Sequence, residues 1–460
     1  MIKRNKFRNQ ELHWKLKDFV QKAFILLEQK MKSGEKLYPT TVEEISIDDD
    51  NTIHPHPPSL RDFRRKPDFG MLISKHEKEL TQLPEWATVL ECISRDEIIK
   101  KHLGHMINSP FGGVVIYEST LLNGILLMSI DEEKPLHFNT DLFDSAYARI
   151  EDYFYSKTLT RKSTCLLLGF DSEAEEIDLG DGLRVRKVVK DEIIELWRTS
   201  EWFRALVEFS VELRYTPLKY VAELSTQAPK LTGDEKYQAT DADTKLEKLV
   251  CALRLFKKGW IDYPFIKEIV TPNLSREVSY SMKHSKMNII SPPSGISYRL
   301  STDEAKEFKA LYDRIEKKID SSEVYLKRFN DTYRRVSVED KLIDYMIAFE
   351  SLYLVGEAPL EMPYKLAHRV ALLLYKTEVE RKQTFLEMKK AYSLRSDIVH
   401  GERKTRSPTE PIKIDNKEYS LSDFIQKIEE HLRRSIKLFL EKPKQPWVDL
   451  MFKDDSWRQD

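Results

Sequence analysis

The chain predicts an α+β protein, with a mixed α/β domain over residues 1–240, a connecting segment over 241–300, an all-α helical bundle over 301–445 and a tail over 446–460. Three observations carry this reading. Between residues 70 and 235, strand-like runs are punctuated by turn dipeptides. Beyond residue 300, apolar residues recur at three-four spacing. Cap residues also stand where those helices should begin.

In chain order, residues 8–32 predict a helix, and an irregular loop follows with Asp48-Asp49-Asp50 and His54-Pro-His56-Pro-Pro. The runs VVIYESTLL and ILLMSI flank Asn123-Gly124, which predicts a hairpin with a two-residue turn. Asp181-Gly182 predicts a second hairpin. Val207, Phe209, Val211 and Leu213 alternate with Glu208, Ser210, Glu212 and Arg214, the pattern of a half-buried strand. The polar stretch from Gly233 to Lys245 reads as a linker. Ser301 with Glu304, Ser337 with Asp340, and Ser420 with Asp423 match capping boxes. Leu421 to Leu440 keeps an apolar stripe opposite charge, and such stripes bury themselves in a helical bundle. Gly401 to Glu418 is polar, contains prolines and reads as a loop.

Composition narrows the function classes. With 460 residues, 41% of them hydrophobic, and a net charge of −1, the chain can bury a large core. Any nucleic-acid binding must therefore use a local basic patch. Three well-separated cysteines, Cys92, Cys165 and Cys251, suggest neither a disulfide framework nor a cysteine zinc site, and fit a cytoplasmic setting. The N-terminus is charged, and the apolar run from Val114 to Ile130 is broken by Glu118 and Asn123, so neither a signal peptide nor a membrane span is expected. There is no GxGxxG, GxxxxGK[ST] or GxSxG motif. His54 and His56 sit in a proline-rich loop that makes a poor metal cage, and His102 and His105 read as surface residues, so no metal or other cofactor is expected.

The richest chemistry lies in AYSLRSDIVHGERK, from Ala391 to Lys404. The helical recurrence through Phe385, Met388, Ala391, Tyr392, Ile398 and Val399 stops at Gly401, which reads as the helix terminator. Arg395 and His400 suffice for metal-free RNA cleavage. Histidine moves protons to and from the ribose 2′-hydroxyl and the leaving oxygen, while arginine neutralises charge on the pentacoordinate phosphorus. On a regular helix the two side chains point about 140° apart, with about 7.5 Å of rise between them. Convergence needs either an unwound last turn or two protomers. Lys389, Lys390, Arg403, Lys404 and Arg406 form a basic cluster that can track RNA phosphates.

Glu350 falls on the apolar face of its helix, among Ile343, Met346, Ile347, Tyr353 and Leu354. A carboxylate there calls for a cationic partner, with Arg395, Arg369 and His368 as candidates. Such a pair either orients Arg395 toward a cleft or fixes helix register.

With its surroundings, the segment Arg395-Ser-Asp-Ile-Val-His400-Gly resembles the Apea-like branch of the HEPN superfamily, whose signature is arginine, four to six residues, then histidine. The flanking KLIDYMIAFESLYL, YKLAHRVALLLY and final helix fall in the order of that helical domain, and ALRLFKKGWI resembles its lead-in. The resemblance spans roughly the last two fifths of the chain. Ser396 after the arginine agrees with the Apea-like pattern, where other members carry Asn, His or Asp; here Asp397 comes one position later. The resemblance implies a HEPN endoribonuclease that leaves a 2′,3′-cyclic phosphate, with a homodimer presenting both copies of Arg395 and His400 to one cleft. It also implies a bacterial anti-phage or toxin role, with the N-terminal domain sensing a phage-derived trigger or restraining the nuclease. The alternatives are a catalytically silent RNA-binding or dimerisation module that serves another protein, and a nucleotide-dependent regulator.

Overall fold

Asn9 starts the first helix: its side-chain oxygen accepts from the Leu12 N–H at 2.9 Å, and α1 (Gln10–Lys32) then buries Leu12, Leu16, Phe19, Val20, Ala23, Phe24 and Leu27. That is the helix the sequence predicts over residues 8–32, begun by an N-cap and burying one apolar stripe. In this computed structural model the described residues are 7–35, 39–43, 45–54, 63–104, 106–109, 112–131, 136–199, 203, 204, 207, 217–230, 242–272, 274, 281–284, 298–318, 323–356, 360–400, 411–415 and 417–441.

After α1 come β1 (Pro39–Glu43), β2 (Ser46–Ile47), β3 (Ile53–His54), β4 (Phe63–Pro67), α2 (Phe69–Lys75), α3 (Glu77–Thr81), α4 (Pro84–Arg95), α5 (Glu97–His102), β5 (Met106–Ser109), β6 (Gly112–Val115), α6 (Glu118–Ser129) and α7 (Thr140–Tyr155). The apolar faces of the helices close a first core from Phe7 to Phe154, joined by Leu274, whereas Ile47 of β2 and Ile53 of β3 pack in the cluster of Ile193, Leu196 and Trp197. The expected hairpin at Asn123-Gly124 is absent, because both residues lie inside α6. A Cβ on Gly124 would come within 2.3 Å of the Leu274 carbonyl oxygen, so the glycine serves close packing between helix and backbone instead of a turn. His102 is also not a surface residue: it is buried, and its Nδ1 lies 2.6 Å from the Ile98 carbonyl. His105 and His56 lie outside the described residues, while His54 pairs with Asp48 at 3.0 Å.

The central sheet follows. Strands β7 (Thr158–Leu167), β8 (Phe170–Ser172), β9 (Glu176–Gly180) and β10 (Leu183–Lys187) lead through α8 (Lys190–Thr199) to β11 (Tyr220–Pro229), α9 (Ala242–Phe256), β12 (Phe265–Thr271), β13 (Ser281–His284) and β14 (Tyr298–Leu300). Six of these strands form one antiparallel sheet in the order β13-β12-β7-β11-β10-β9. The predicted Asp181-Gly182 turn joins β9 to β10 with positive φ at both residues, 48° and 76°. Gly182 must be glycine, since a Cβ there would meet the Ser225 carbonyl oxygen at 2.2 Å. Val207, expected in a strand, is helical; Phe209 to Leu213 lie outside the described residues.

Side chains alternate across the sheet as the pleat requires. Cys165, Leu167, Leu183, Val185, Tyr220, Ala222 and Ile266 join the core of the C-terminal helices, whereas Leu166, Val221 and Phe265 pack with Ile193, Leu196 and Trp197 of α8. All three cysteines are free and buried, and burial pushes the thiols of Cys165 and Cys251 up to about 12. On the α8 side, nearly buried Glu223 gathers Lys162, Arg184 and Arg186 at 2.7 to 2.8 Å, which holds its carboxyl down to about 2 despite desolvation.

The C-terminal helices are α10 (Thr302–Lys318), α11 (Val324–Thr332), α12 (Val338–Tyr353), α13 (Met362–Leu374), α14 (Glu378–His400) and α15 (Leu421–Glu441), with β15 (Ile412–Ile414) and β16 (Lys417–Tyr419) before the last. Each predicted cap is in place. Ser301 and Glu304 bond each other's backbone N–H reciprocally, at 3.2 and 2.9 Å, and Ser337 and Ser420 accept from the N–H groups of Asp340 and Asp423. The segment expected as a loop from Gly401 to Glu418 contains the short antiparallel pair β15–β16, in which Ile412 and Ile414 turn inward; residues 401–410 and the expected tail 446–460 lie outside the described set.

Residues 241–300 do more than connect. Ala242 to Lys245, expected in the linker, open α9, whose Leu246, Leu249, Val250 and Leu253 share the core of the C-terminal helices, and β12 pairs with β7. Two buried arginines stitch these parts together. Arg254 donates to the Ile261 carbonyl at 2.7 and 3.0 Å and to Asp262, and Arg433 Nε donates to the Arg254 carbonyl at 2.9 Å. A single hydrophobic core thus runs from the sheet through α9 to α15.

Candidate functional site

Helix α14 starts at a further capping box, where the Glu380 N–H donates to Thr377 Oγ1 and that hydroxyl donates to the Glu380 carboxylate at 2.7 Å. It forms an α-hairpin with α13, fixed where Tyr364 meets Phe385 edge-on with ring centroids 5.4 Å apart. Thr384, Glu387, Met388, Ala391 and Leu394 form its buried stripe. That stripe sets the positions of the motif: Arg395, Ser396 and Asp397 are half-buried on its flank, and His400 is exposed at the last helical position.

The arginine is held but not saturated. Its guanidinium carbon stands 5.8 Å from the centroid of the Tyr392 ring, one turn earlier, and its Nε is buried without a hydrogen-bond partner among the described residues. A buried guanidinium donor with no acceptor is costly, and an incoming phosphate oxygen would satisfy it. Among the described residues no ion pair joins Glu350 to Arg395, Arg369 or His368, which corrects the expected pairing. Glu350 is half-buried and interacts with Tyr392 instead: burial raises the Tyr392 hydroxyl, Glu350 raises it further and Arg395 lowers it. Arg369 instead donates to the Tyr353 carbonyl at 2.6 Å, and His368 stacks on Tyr364.

The helix is regular from Arg395 through His400. Within one chain the two side chains thus keep the separation of about 140° and about 7.5 Å given by helix geometry. Unwinding of the last turn does not bring them together. Of the basic cluster, Lys389 is exposed and rides over the Phe385 ring at 5.6 Å, while Lys390 is half-buried; Gly401, Arg403, Lys404 and Arg406 lie outside the described residues.

A second constellation on the same helix escaped sequence reasoning. Glu387, buried on α14, meets His431 of α15 at 2.8 Å, and the other imidazole nitrogen of His431 lies 3.0 Å from the Tyr375 hydroxyl. Its signal was a glutamate and a histidine inside apolar stripes, at Thr384/Met388 and at Ile428/Leu432, but their 44-residue separation hid the match. Among the described residues, no group of three or more His, Cys, Asp or Glu is placed to hold a metal, and no helix is long and apolar enough to cross a membrane.

Compared with known protein families, with curated proteins and with solved structures, the chain matches none.

Proposed function

We propose that this protein is a metal-independent endoribonuclease of the HEPN type, cleaving RNA at a site completed by two copies of the chain. The observation that carries the reading is the partly buried Arg395, whose Nε lacks a partner among the described residues, on the same helix end as the exposed His400. Arginine in that state suits a phosphorane, and an exposed histidine suits proton transfer at the 2′-hydroxyl and the leaving oxygen. The helical separation of the two supports pairing across protomers. Val399, next to His400, and Val355 and Leu360, after α12, are exposed apolar side chains that a second copy would cover. Ser396 and Asp397 flank the arginine as supporting residues, and Lys389 and Lys390 lead RNA toward it. On this reading the role is that of a cytoplasmic bacterial anti-phage effector or toxin, with a phage-derived trigger as a partner.

The test is cleavage of RNA by the purified protein in excess chelator. Products ending in a 2′,3′-cyclic phosphate are expected, with losses of about 10²–10⁴-fold in Arg395→Ala and His400→Ala. Undiminished cleavage in both variants would overturn the mechanism. RNA binding without cleavage by the wild type would favour a silent binding module.

A further inference from the structure

The chain Glu387, His431, Tyr375 has the connectivity of an acid, a base and a nucleophile, and it lies apart from Arg395 and His400. Glu387 and His431 are both almost wholly buried, and the carboxylate is fully engaged: Oε2 meets His431 Nε2 at 2.8 Å, while Oε1 accepts from Lys427 Nζ at 2.9 Å, from Gln383 at 2.8 Å and from the Tyr419 hydroxyl at 3.3 Å. An ionised carboxylate can only accept, so His431 must carry its proton on Nε2. In the neutral imidazole Nδ1 is then a lone-pair acceptor, and it faces the Tyr375 hydroxyl at 3.0 Å. This is the logic of an activated nucleophile whose base is oriented by a third group.

The chain ends at the surface. Tyr375 is half-buried at the end of α13, with Arg434 Nη1 at 3.4 Å from its hydroxyl and the Arg434 guanidinium 5.6 Å from its ring centroid. Arg381 Nε donates to the Tyr375 carbonyl at 2.8 Å, and the adjacent Lys376 is exposed. Glu430 holds the other side of Arg434 at 3.1 Å, which fixes the guanidinium beside the phenol. A guanidinium fixed beside the phenol suits an electrophile that carries negative charge.

We propose that Tyr375, His431 and Glu387 form a second reactive centre, in which the Tyr375 hydroxyl attacks the phosphorus of an anionic electrophile of the phosphoanhydride class. The phenolic oxygen forms the new O–P bond as its proton passes to His431 Nδ1. The bond from phosphorus to the leaving group breaks, and that group departs with the electron pair. Glu387 holds the imidazolium that results, and Arg434 faces the charge on the phosphoryl oxygens. The product is a tyrosyl phosphoester on the α13–α14 turn.

The test uses the full chain and a fluorophosphonate, whose P–F bond breaks in the same displacement, read by intact mass and peptide mapping. Tyr375 should be labelled ahead of the chain's other tyrosines, and that preference should vanish in urea. His431→Gln should slow labelling about 10²-fold, as loss of a general base does, and Arg434→Gln, a change at an exposed side chain, should slow it less. Two results would overturn the proposal: an unlabelled Tyr375 in the native chain, or a Tyr375 no more reactive natively than in urea. A native-like His431→Gln protein that is labelled at the wild-type rate would do the same.

Discussion

Glu387 and His431 meet at 2.8 Å across α14 and α15, each with less than 4% of its side chain exposed. His431, Gln383 and Lys427 outweigh the cost of burial and hold the Glu387 carboxyl down to about 2, against an ordinary 4.5. A carboxyl depressed on folding stabilises the fold above its unfolded value, and this contribution is lost as pH falls from about 4.5 toward 2. Denaturant unfolding at a series of pH values should show wild type losing on the order of 3 kcal/mol more than Glu387→Gln over that window. Equal acid sensitivity of the two proteins would contradict the pairing. At neutral pH, Glu387→Ala should cost about 3–5 kcal/mol, because it removes the buried acceptor shared by Lys427, His431 and Gln383.

Gly124→Ala tests the packing of α6. The added methyl would lie 2.3 Å from the Leu274 carbonyl oxygen, which is backbone and cannot swing aside. A destabilisation of about 1–3 kcal/mol is expected from overpacking, although alanine is the better helix former. A rise in melting temperature would show that this contact is absent.

Ser301→Ala removes one half of a reciprocal capping box, while Glu304 also binds Lys257 Nζ at 2.7 Å. About 1 kcal/mol should be lost in thermal or urea unfolding. Glu304→Gln weakens the ion pair as well, so it should shift the midpoint more strongly at low salt than at high salt.

The proposed site shared by two chains can be tested by mixing. A heterodimer of one Arg395→Ala chain and one His400→Ala chain, isolated by two different tags, retains one arginine and one histidine in a common cleft. Part of the RNA cleavage should return, although each parent is inactive. A heterodimer as inactive as its parents would rule out arginine and histidine supplied by different chains.

What was legible in the sequence was short-range. The caps at Ser301, Ser337 and Ser420 bond residues three positions away, and Asp181-Gly182 needs only positive φ at two neighbours, so local composition suffices. Asn123-Gly124 shows the limit: an apolar run that is also helix-compatible took the helical state, because there it buries Leu121, Leu122, Ile125 and Leu126 together. Glu350 shows another limit. Periodicity placed it near the core, but could not tell that Tyr392, one turn before Arg395, would be its neighbour. The Arg395 and His400 positions on one helix were readable from spacing; the Glu387, His431 and Tyr375 chain was not, since three elements must fold together to create it.

The buried bond from Arg433 to the Arg254 carbonyl bears on how the protein can be taken apart. A fragment that begins near residue 301 would keep every helix of the C-terminal bundle, yet would strip α9 and the sheet from the core that holds Phe308, Phe329, Phe349 and Ile436. It would also remove the carbonyl to which Arg433 Nε donates. Such a fragment should collect in inclusion bodies, so the smallest soluble unit that carries Arg395 extends back at least to Thr158, where the first strand of the sheet begins.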